Sequence, residues 1–156
     1  MNKIKEILYN ILIESNNQKI IAYHGGSNFD SFEYSQIGSA GNELIYGKGF
    51  YFTSDKQMAQ DFAVKLRHGY IYTCELTPVS PLILTKKEIM RQIFMFYKDN
   101  EDESIFWEDM SRKHDILIVK DSTFGGGMKF STQYVDYIEY VVYDKNIINI
   151  IKKEEW

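Results

Sequence analysis

The sequence predicts an α+β fold within a single domain that spans all 156 residues. Short runs rich in β-branched and aromatic residues, typical of strands, are spread along the chain. Amphipathic segments with helical spacing occur near the start and in the middle. The length suits one domain with a modest core, and the two prolines form no proline-rich linker that would mark a domain boundary.

Overall composition restricts the possible partners and cofactors. The net charge of −4 disfavours stable binding to duplex nucleic acid, which normally requires a basic surface. The lone Cys74 can form no intramolecular disulfide. None of the three histidines is spaced as a metal ligand, and we expect no metal site. No apolar run is long enough to span a membrane, and the N-terminal segment has no signal-peptide cleavage site.

The first half of the chain is predicted to alternate helix, strand and loop. Apolar residues at helical spacing predict a first helix that ends near residues 15–17. The segment KIIAYHG (19–25) predicts a buried strand, which runs into a glycine pair and a long loop at 27–46. GFYFT (49–53) predicts the next strand. A helix is predicted at 54–66, with the N-cap types Ser54 and Asp55 and one apolar face made by Met58, Phe62 and Leu66.

The second half is predicted to contain most of the strands. A turn through Pro78 is expected to link the first two of them, and an acidic break is expected to separate two short helices. A loop centred on three glycines precedes the last two strands, which are predicted to form a hairpin-like pair. The predicted elements are strands at 70–76 and 81–84, helices within 85–112, a strand at 115–119, a loop at 121–135, and strands at 137–144 and 147–151.

Three residues stand out as candidates for chemistry, and each has a structural alternative. His24 ends an apolar strand before two glycines, which suits either a turn or a cleft that a ligand approaches closely. Tyr51 follows a Gly-Lys-Gly segment and is either a core ring or a platform for a flat heterocycle. Glu139 lies among apolar and aromatic neighbours, where a buried carboxylate is costly. It is either exposed on an edge strand or kept in a cleft to stabilise positive charge.

The segments around these residues resemble a known superfamily. YHGG (23–26), YGKGFYFTSD (46–55) and EYVVYD (139–144) are similar to the three signature segments of the ADP-ribosyltransferases, in the His-Tyr-Glu branch. That branch includes diphtheria-type toxins and the catalytic domains of poly(ADP-ribose) polymerases. The resemblance implies split antiparallel β-sheets with flanking helices, NAD as substrate, and no metal. The arginine-modifying branch is disfavoured because position 137 is tyrosine where its first glutamate would stand.

The resemblance also implies a role for each matched residue. His24 would bond a ribose hydroxyl of NAD, and the backbone of Gly25 would bind the nicotinamide carboxamide. Tyr51 would stack on the nicotinamide ring, and Phe62, eleven positions later, would close its other face. Glu139 would be the catalytic carboxylate.

One departure and several alternatives accompany this interpretation. Some relatives place a small hydroxyl residue where this chain has Ala59. The resemblance implies a mono-ADP-ribosyltransferase, a glycosyltransferase-class enzyme that is either cytoplasmic or delivered as a toxin-like effector without a classical signal peptide. The alternatives are an NAD glycohydrolase, a catalytically silent NAD or ADP-ribose-binding module, and a tRNA 2′-phosphotransferase-like enzyme, which the scarcity of arginine disfavours. The acceptor stays open; Phe124, Lys129 and Gln133, in the loop before Glu139, are candidates to contact it.

Overall fold

The computed structural model describes residues 3–4, 7, 18–39, 44–97, 102–124 and 135–156. From residue 18 onward, the described residues form seven β-strands, three α-helices and two short 3-10 helices, in agreement with the predicted α+β class. The strands are β1 (Ile20–Gly26), β2 (Phe50–Thr53), β3 (Tyr70–Leu76), β4 (Pro81–Leu84), β5 (Ile116–Phe124), β6 (Val135–Val142) and β7 (Ile148–Glu155). The α-helices are α1 (Lys56–Val64), α2 (Lys86–Tyr97) and α3 (Glu103–Lys113).

The strands form one sheet in the order β4-β5-β6-β2-β1-β3-β7. All neighbouring pairs are antiparallel except β4 and β5, which are parallel. The predicted hairpin between the last two strands is wrong, because β6 lies between β5 and β2 while β7 pairs with β3 at the far edge. Residue alternation identifies strands in a sequence but does not identify their partners.

β1 and β2 share fewer paired residues than any other two neighbouring strands of the sheet. β1 pairs with β3 at all seven of its residues. With β2 it pairs only where Tyr23 faces Thr53. The two strands diverge on one side of this pair, and the sheet opens there.

Two large apolar cores cover opposite faces of the sheet, because alternate residues of each strand point to alternate faces. In β5, Ile116 and Ile118 belong to the first core, whereas Leu117 and Val119 belong to the second. The first core is completed by aromatic rings from the segment after β1, and the second by side chains of α2 and α3.

The helix α1 begins where the sequence predicts but packs through a different face. The side chain of Asp55 caps it by accepting hydrogen bonds from two backbone N–H groups of the first turn. Its buried residues are Met58, Ala59 and Ala63, whereas Phe62 is 42% exposed. The predicted apolar face is therefore correct at Met58 and wrong at Phe62, because small residues are needed where the helix lies against β1.

The remaining sequence predictions divide between confirmed elements and residues outside the described part. Two helices are present near 85–112 as predicted. Of the acidic break at 100–103, residues 100–101 are not described, Asp102 caps α3 and Glu103 begins it. The loop predicted at 121–135 is wrong at both ends, because β5 extends to Phe124 and β6 begins at Val135. Residues 125–134 lie outside the described part of the chain. Of the predicted first helix, Lys3, Ile4 and Ile7 are helical and the other residues lie outside the described ranges.

Candidate functional site

A cleft of about 680 Å³ lies where β1 and β2 diverge. This volume falls within the range of roughly 300–1,000 Å³ that is usual for small-molecule and cofactor sites. The residues that line it come from β1, β2, α1 and β6, and from the segment that connects β1 to β2. They include the five residues to which the resemblance gives a role with NAD, namely His24, Gly25, Tyr51, Phe62 and Glu139. Of the candidates to contact the acceptor, Lys129 and Gln133 lie outside the described residues.

His24 joins the two strands where their backbone pairing stops. Its Nδ1 lies 2.8 Å from the backbone oxygen of Tyr51. Because a carbonyl can only accept, Nδ1 carries the proton and Nε2 of the neutral ring is an acceptor. Burial lowers the pKa of His24, and this hydrogen bond offsets the effect only in part. The lowered pKa favours the neutral ring at pH 7. A Cβ at Gly26 would lie 2.8 Å from Nε2, so the glycine leaves room beside that nitrogen.

Gly25 is required by helix packing, a reason that the sequence did not predict. A Cβ at this position would lie 2.1 Å from the backbone oxygen of Ala59 in α1. Ala59 itself is fully buried. This close approach accounts for a small side chain at position 59. Some members of the superfamily that the sequence resembles have a small hydroxyl residue there. Gly25 nevertheless lines the cleft with its backbone.

Tyr51 presents its ring to the cleft and uses its hydroxyl elsewhere. The ring is half-buried and packs against the second core. The hydroxyl donates to the oxygen of Gly47 and accepts from the N–H of Tyr46, both at 2.9 Å. Gly47 has a φ of +82°, a conformation that favours glycine. Tyr51 therefore anchors the turn before its own strand, and burial raises the pKa of its phenol.

Phe62 forms a second aromatic wall on α1. Its side chain is 42% exposed, and the Nζ of Lys65 lies 4.9 Å from the ring centre. No direct ring contact joins Phe62 to Tyr51 among the described residues. Within that part of the chain, Lys65 is the one lysine or arginine that lines the cleft.

Glu139 lies in the middle of the sheet, so the alternative of an exposed edge strand is wrong. Its backbone is paired with Thr53 on one side and Val119 on the other, and its side chain reaches the cleft half-buried. The carboxylate Oε2 accepts a hydrogen bond of 3.4 Å from the hydroxyl of Ser122. Burial raises the pKa of Glu139, while the hydrogen bond from Ser122 and the charge of Lys86 act in the opposite direction.

Three residues near Glu139 were missed as functional candidates. Tyr137 lines the cleft and lies two residues before Glu139 on the same face of β6. Because residues two apart in a strand share a face, the sequence could have identified it. Tyr46 is buried, and burial together with the charge of Glu139 raises its pKa to about 12. Ser122 is on β5, and no sequence signal connects it to Glu139.

The cleft combines three chemical capabilities. A neutral imidazole offers an acceptor, aromatic rings such as those of Tyr51 and Phe62 offer flat surfaces, and a half-buried carboxylate offers negative charge. These groups suit a ligand that has an aromatic ring, hydroxyl groups and a centre where positive charge develops. The described residues contain no group of histidine, cysteine or acidic side chains that could hold a metal ion. Nor does any helix among them have the length and apolarity to cross a membrane.

Comparisons with protein-family models and with curated proteins give no match to this sequence. A functional assignment therefore depends on the residues of the cleft and their geometry.

Proposed function

We propose that the protein is an NAD-dependent mono-ADP-ribosyltransferase, which cleaves the bond between nicotinamide and ribose and transfers ADP-ribose to an acceptor. The observation that best supports this proposal is that His24, Tyr51 and Glu139 line one cleft although they come from three different strands. These residues are the ones that the sequence resemblance assigns to the His-Tyr-Glu set. The opening of the sheet between β1 and β2 is compatible with the split sheets of that superfamily.

The aromatic residues provide the binding surface for nicotinamide in this proposal. The ring of Tyr51 would contact one face of nicotinamide and Phe62 the other, with the carboxamide bound by the backbone of Gly25. An offset ring pair contributes about 0.5–1.5 kcal/mol beyond the burial of area. Tyr51 is suited to this role because its hydroxyl is fixed by two hydrogen bonds, which restrict the ring.

His24 would orient the ribose of NAD. The Nδ1–H group is committed to the oxygen of Tyr51, which directs the acceptor Nε2 to a ribose hydroxyl. The lowered pKa of His24 supports this role, because a protonated ring would have no acceptor.

Glu139 would stabilise the transition state. As the nicotinamide–ribose bond breaks, its electron pair leaves with nicotinamide and positive charge develops at the anomeric carbon. A fixed carboxylate in a partly desolvated cleft stabilises that charge, and it can accept a hydrogen bond from the ribose 2′-hydroxyl. The acceptor then attacks the opposite face of the sugar and loses its proton. This sequence of steps requires neither a covalent enzyme intermediate nor a metal.

The experiment that tests the proposal is incubation with NAD and a chelator, with and without cell lysate as a source of acceptors. Chromatography measures free nicotinamide, and mass spectrometry measures ADP-ribose attached to lysate components. We expect nicotinamide release and a labelled acceptor. Release without any labelled acceptor, at a rate that lysate does not change, would favour an NAD glycohydrolase. Absence of release under every condition would contradict the proposal and favour the silent binding module.

A further inference from the structure

The strand β5 contains an irregularity directly opposite the proposed catalytic carboxylate. Val119 pairs with Glu139, and the next pair joins Ser122 to Tyr137. Three steps along β5 therefore oppose two steps along β6. One extra residue is inserted in β5, which is the definition of a β-bulge.

The bulge changes the face on which Ser122 lies. In a regular strand, residues three positions apart point to opposite faces of the sheet. With the extra residue, Ser122 returns to the face of Val119 and Glu139. Its side chain is fully buried, and its hydroxyl lies 3.4 Å from the Oε2 of Glu139. Bulges commonly occur beside active sites, where they redirect a side chain.

We propose that Ser122 is a positioning residue for the reaction: its hydroxyl, presented by the bulge, holds the carboxylate of Glu139 in its orientation toward the cleft. This inference depends on the proposed function for its catalytic meaning. The hydrogen bond from the Ser122 hydroxyl to Glu139, and its effect on the titration of Glu139, can be tested without reference to NAD.

The ionisation of Glu139 depends on several surrounding groups. Burial raises its pKa, and the hydrogen bond from Ser122 is the largest opposing influence, followed by the charge of Lys86. Removal of the hydroxyl therefore raises the pKa of Glu139 further. Among the described residues, four titratable groups interact with Glu139: Tyr137 on its own strand, Tyr46 before β2, Tyr51 on β2 and Lys86 at the start of α2. Asp121, at the bulge, acts on Tyr46.

The test compares Ser122→Ala with wild type by two measurements. Carbon-13 NMR of labelled glutamate side chains follows the titration of Glu139 without NAD, with Glu139→Gln to assign the signal. Nicotinamide release is measured as a function of pH. In Ser122→Ala, we expect the Glu139 titration and the acid limb of activity to move together to higher pH. We also expect kcat at neutral pH to fall about fivefold, the effect of one net hydrogen bond, with KM little changed.

Conservative variants separate positioning from packing. Ser122→Thr retains the hydroxyl and is expected to restore both the Glu139 titration and the pH profile. Ser111→Ala, which removes an exposed hydroxyl in α3, is expected to change neither. If Ser122→Ala does not fold, Ser122→Cys replaces it, because a thiol is a weak donor of similar shape. In Ser122→Cys, the titration of Glu139 is then also expected to move to higher pH.

Failure of this inference and failure of the proposed function appear in different measurements. An unchanged Glu139 titration in a folded Ser122→Ala or Ser122→Cys protein would overturn the role of Ser122, even if the wild type releases nicotinamide. Absence of nicotinamide release by the wild type would overturn the proposed function and, with it, the catalytic role of Ser122, even if the titration shifts.

Discussion

The two edges of β1 differ in how they are held. Along the edge that faces β3, every residue from Ile20 to Gly26 has a pairing partner. Along the edge that faces β2, only Tyr23 has one. On this second edge the side chain of His24 replaces a backbone pair by bonding to the oxygen of Tyr51. We call the first the closed edge and the second the open edge.

Under the proposed function, the difference means that one strand serves both stability and ligand binding. On the closed edge, β1 lies beside fully buried residues of β3 such as Tyr72 and Cys74. On the open edge, polar and aromatic groups face a cleft instead of a neighbouring strand. Substitutions on the closed edge should therefore change the free energy of unfolding. Substitutions on the open edge should change NAD binding or turnover.

The largest effect is expected for Glu139→Gln, at a residue of β6 that lines the cleft beside the open edge. This substitution keeps the shape of the side chain and removes its charge. Turnover should fall by about 10²–10³-fold, as for the loss of one electrostatic contact in the transition state, with little change in NAD affinity. Nicotinamide release and NAD titration measure the two quantities, and the exposed Glu108→Gln in α3 is the matched control.

The same variant tests whether Glu139 is structural. Because burial raises the pKa of Glu139 in the folded protein, its charged form destabilises the fold above that pKa and not at acid pH. Glu139→Gln should therefore preserve or raise the melting temperature at pH 7, with less effect at pH 4. A lower melting temperature with normal turnover per folded molecule would remove Glu139 from the catalytic residues.

Tyr51 should show separate roles for its ring and its hydroxyl. Tyr51→Ala should weaken NAD binding by about 1–3 kcal/mol, the range for loss of a buried ring contact. Tyr51→Phe keeps the ring and should bind NAD almost normally. The variant should nevertheless lose about 1 kcal/mol of stability, because it lacks the tyrosine hydroxyl that bonds to the backbone of Tyr46 and Gly47.

Calorimetric NAD titration and thermal melting distinguish these roles. Tyr143→Phe is the matched control, since the hydroxyl of Tyr143 bonds to the oxygen of Tyr46 but the residue does not line the cleft. Equal NAD affinities in Tyr51→Ala and Tyr51→Phe would contradict the stacking role.

Two glycines packed against the same helix allow a direct test of the open edge. A Cβ at Gly25 or at Gly69 would lie 2.1 Å from a backbone oxygen of α1. Both Gly25→Ala and Gly69→Ala should destabilise the protein by about 1–3 kcal/mol, the usual cost of overpacking. Only Gly25 lines the cleft, so only Gly25→Ala should also reduce nicotinamide release per folded molecule. If nicotinamide release per folded molecule were the same in the two variants, Gly25 would have a packing role alone.

The smallest effect is expected for Phe62→Ala on α1. Loss of one exposed stacking surface should weaken NAD binding by about 0.5–1.5 kcal/mol. The melting temperature should stay nearly constant, because the side chain is 42% exposed. Val64→Ala, on the same helix at 66% exposure and outside the cleft, should change neither quantity. An NAD affinity equal to that of the wild type would remove Phe62 from the binding surface.

Much of the secondary structure was predictable because it depends on local chemistry. Alternating or continuous apolar runs identified strands such as 70–76, whose observed bounds are the predicted ones. The N-cap chemistry of Asp55 fixed the start of α1. Strand partners were not predictable in the same way, since β7 follows β6 closely in the chain yet pairs with β3. The choice of partner depends on which apolar faces meet in the folded sheet.

The sequence by itself determined the candidate residues of the cleft, because His24, Tyr51 and Glu139 lie in short segments whose residue types are informative without a fold. Only the tertiary structure decided how they are supported. Gly25 is needed because α1 approaches its backbone, and the hydroxyl of Tyr51 fixes a neighbouring turn. Ser122 reaches Glu139 because a bulge reverses the direction of its side chain. These features depend on distances between segments far apart in the chain, which arise only when the sheet assembles.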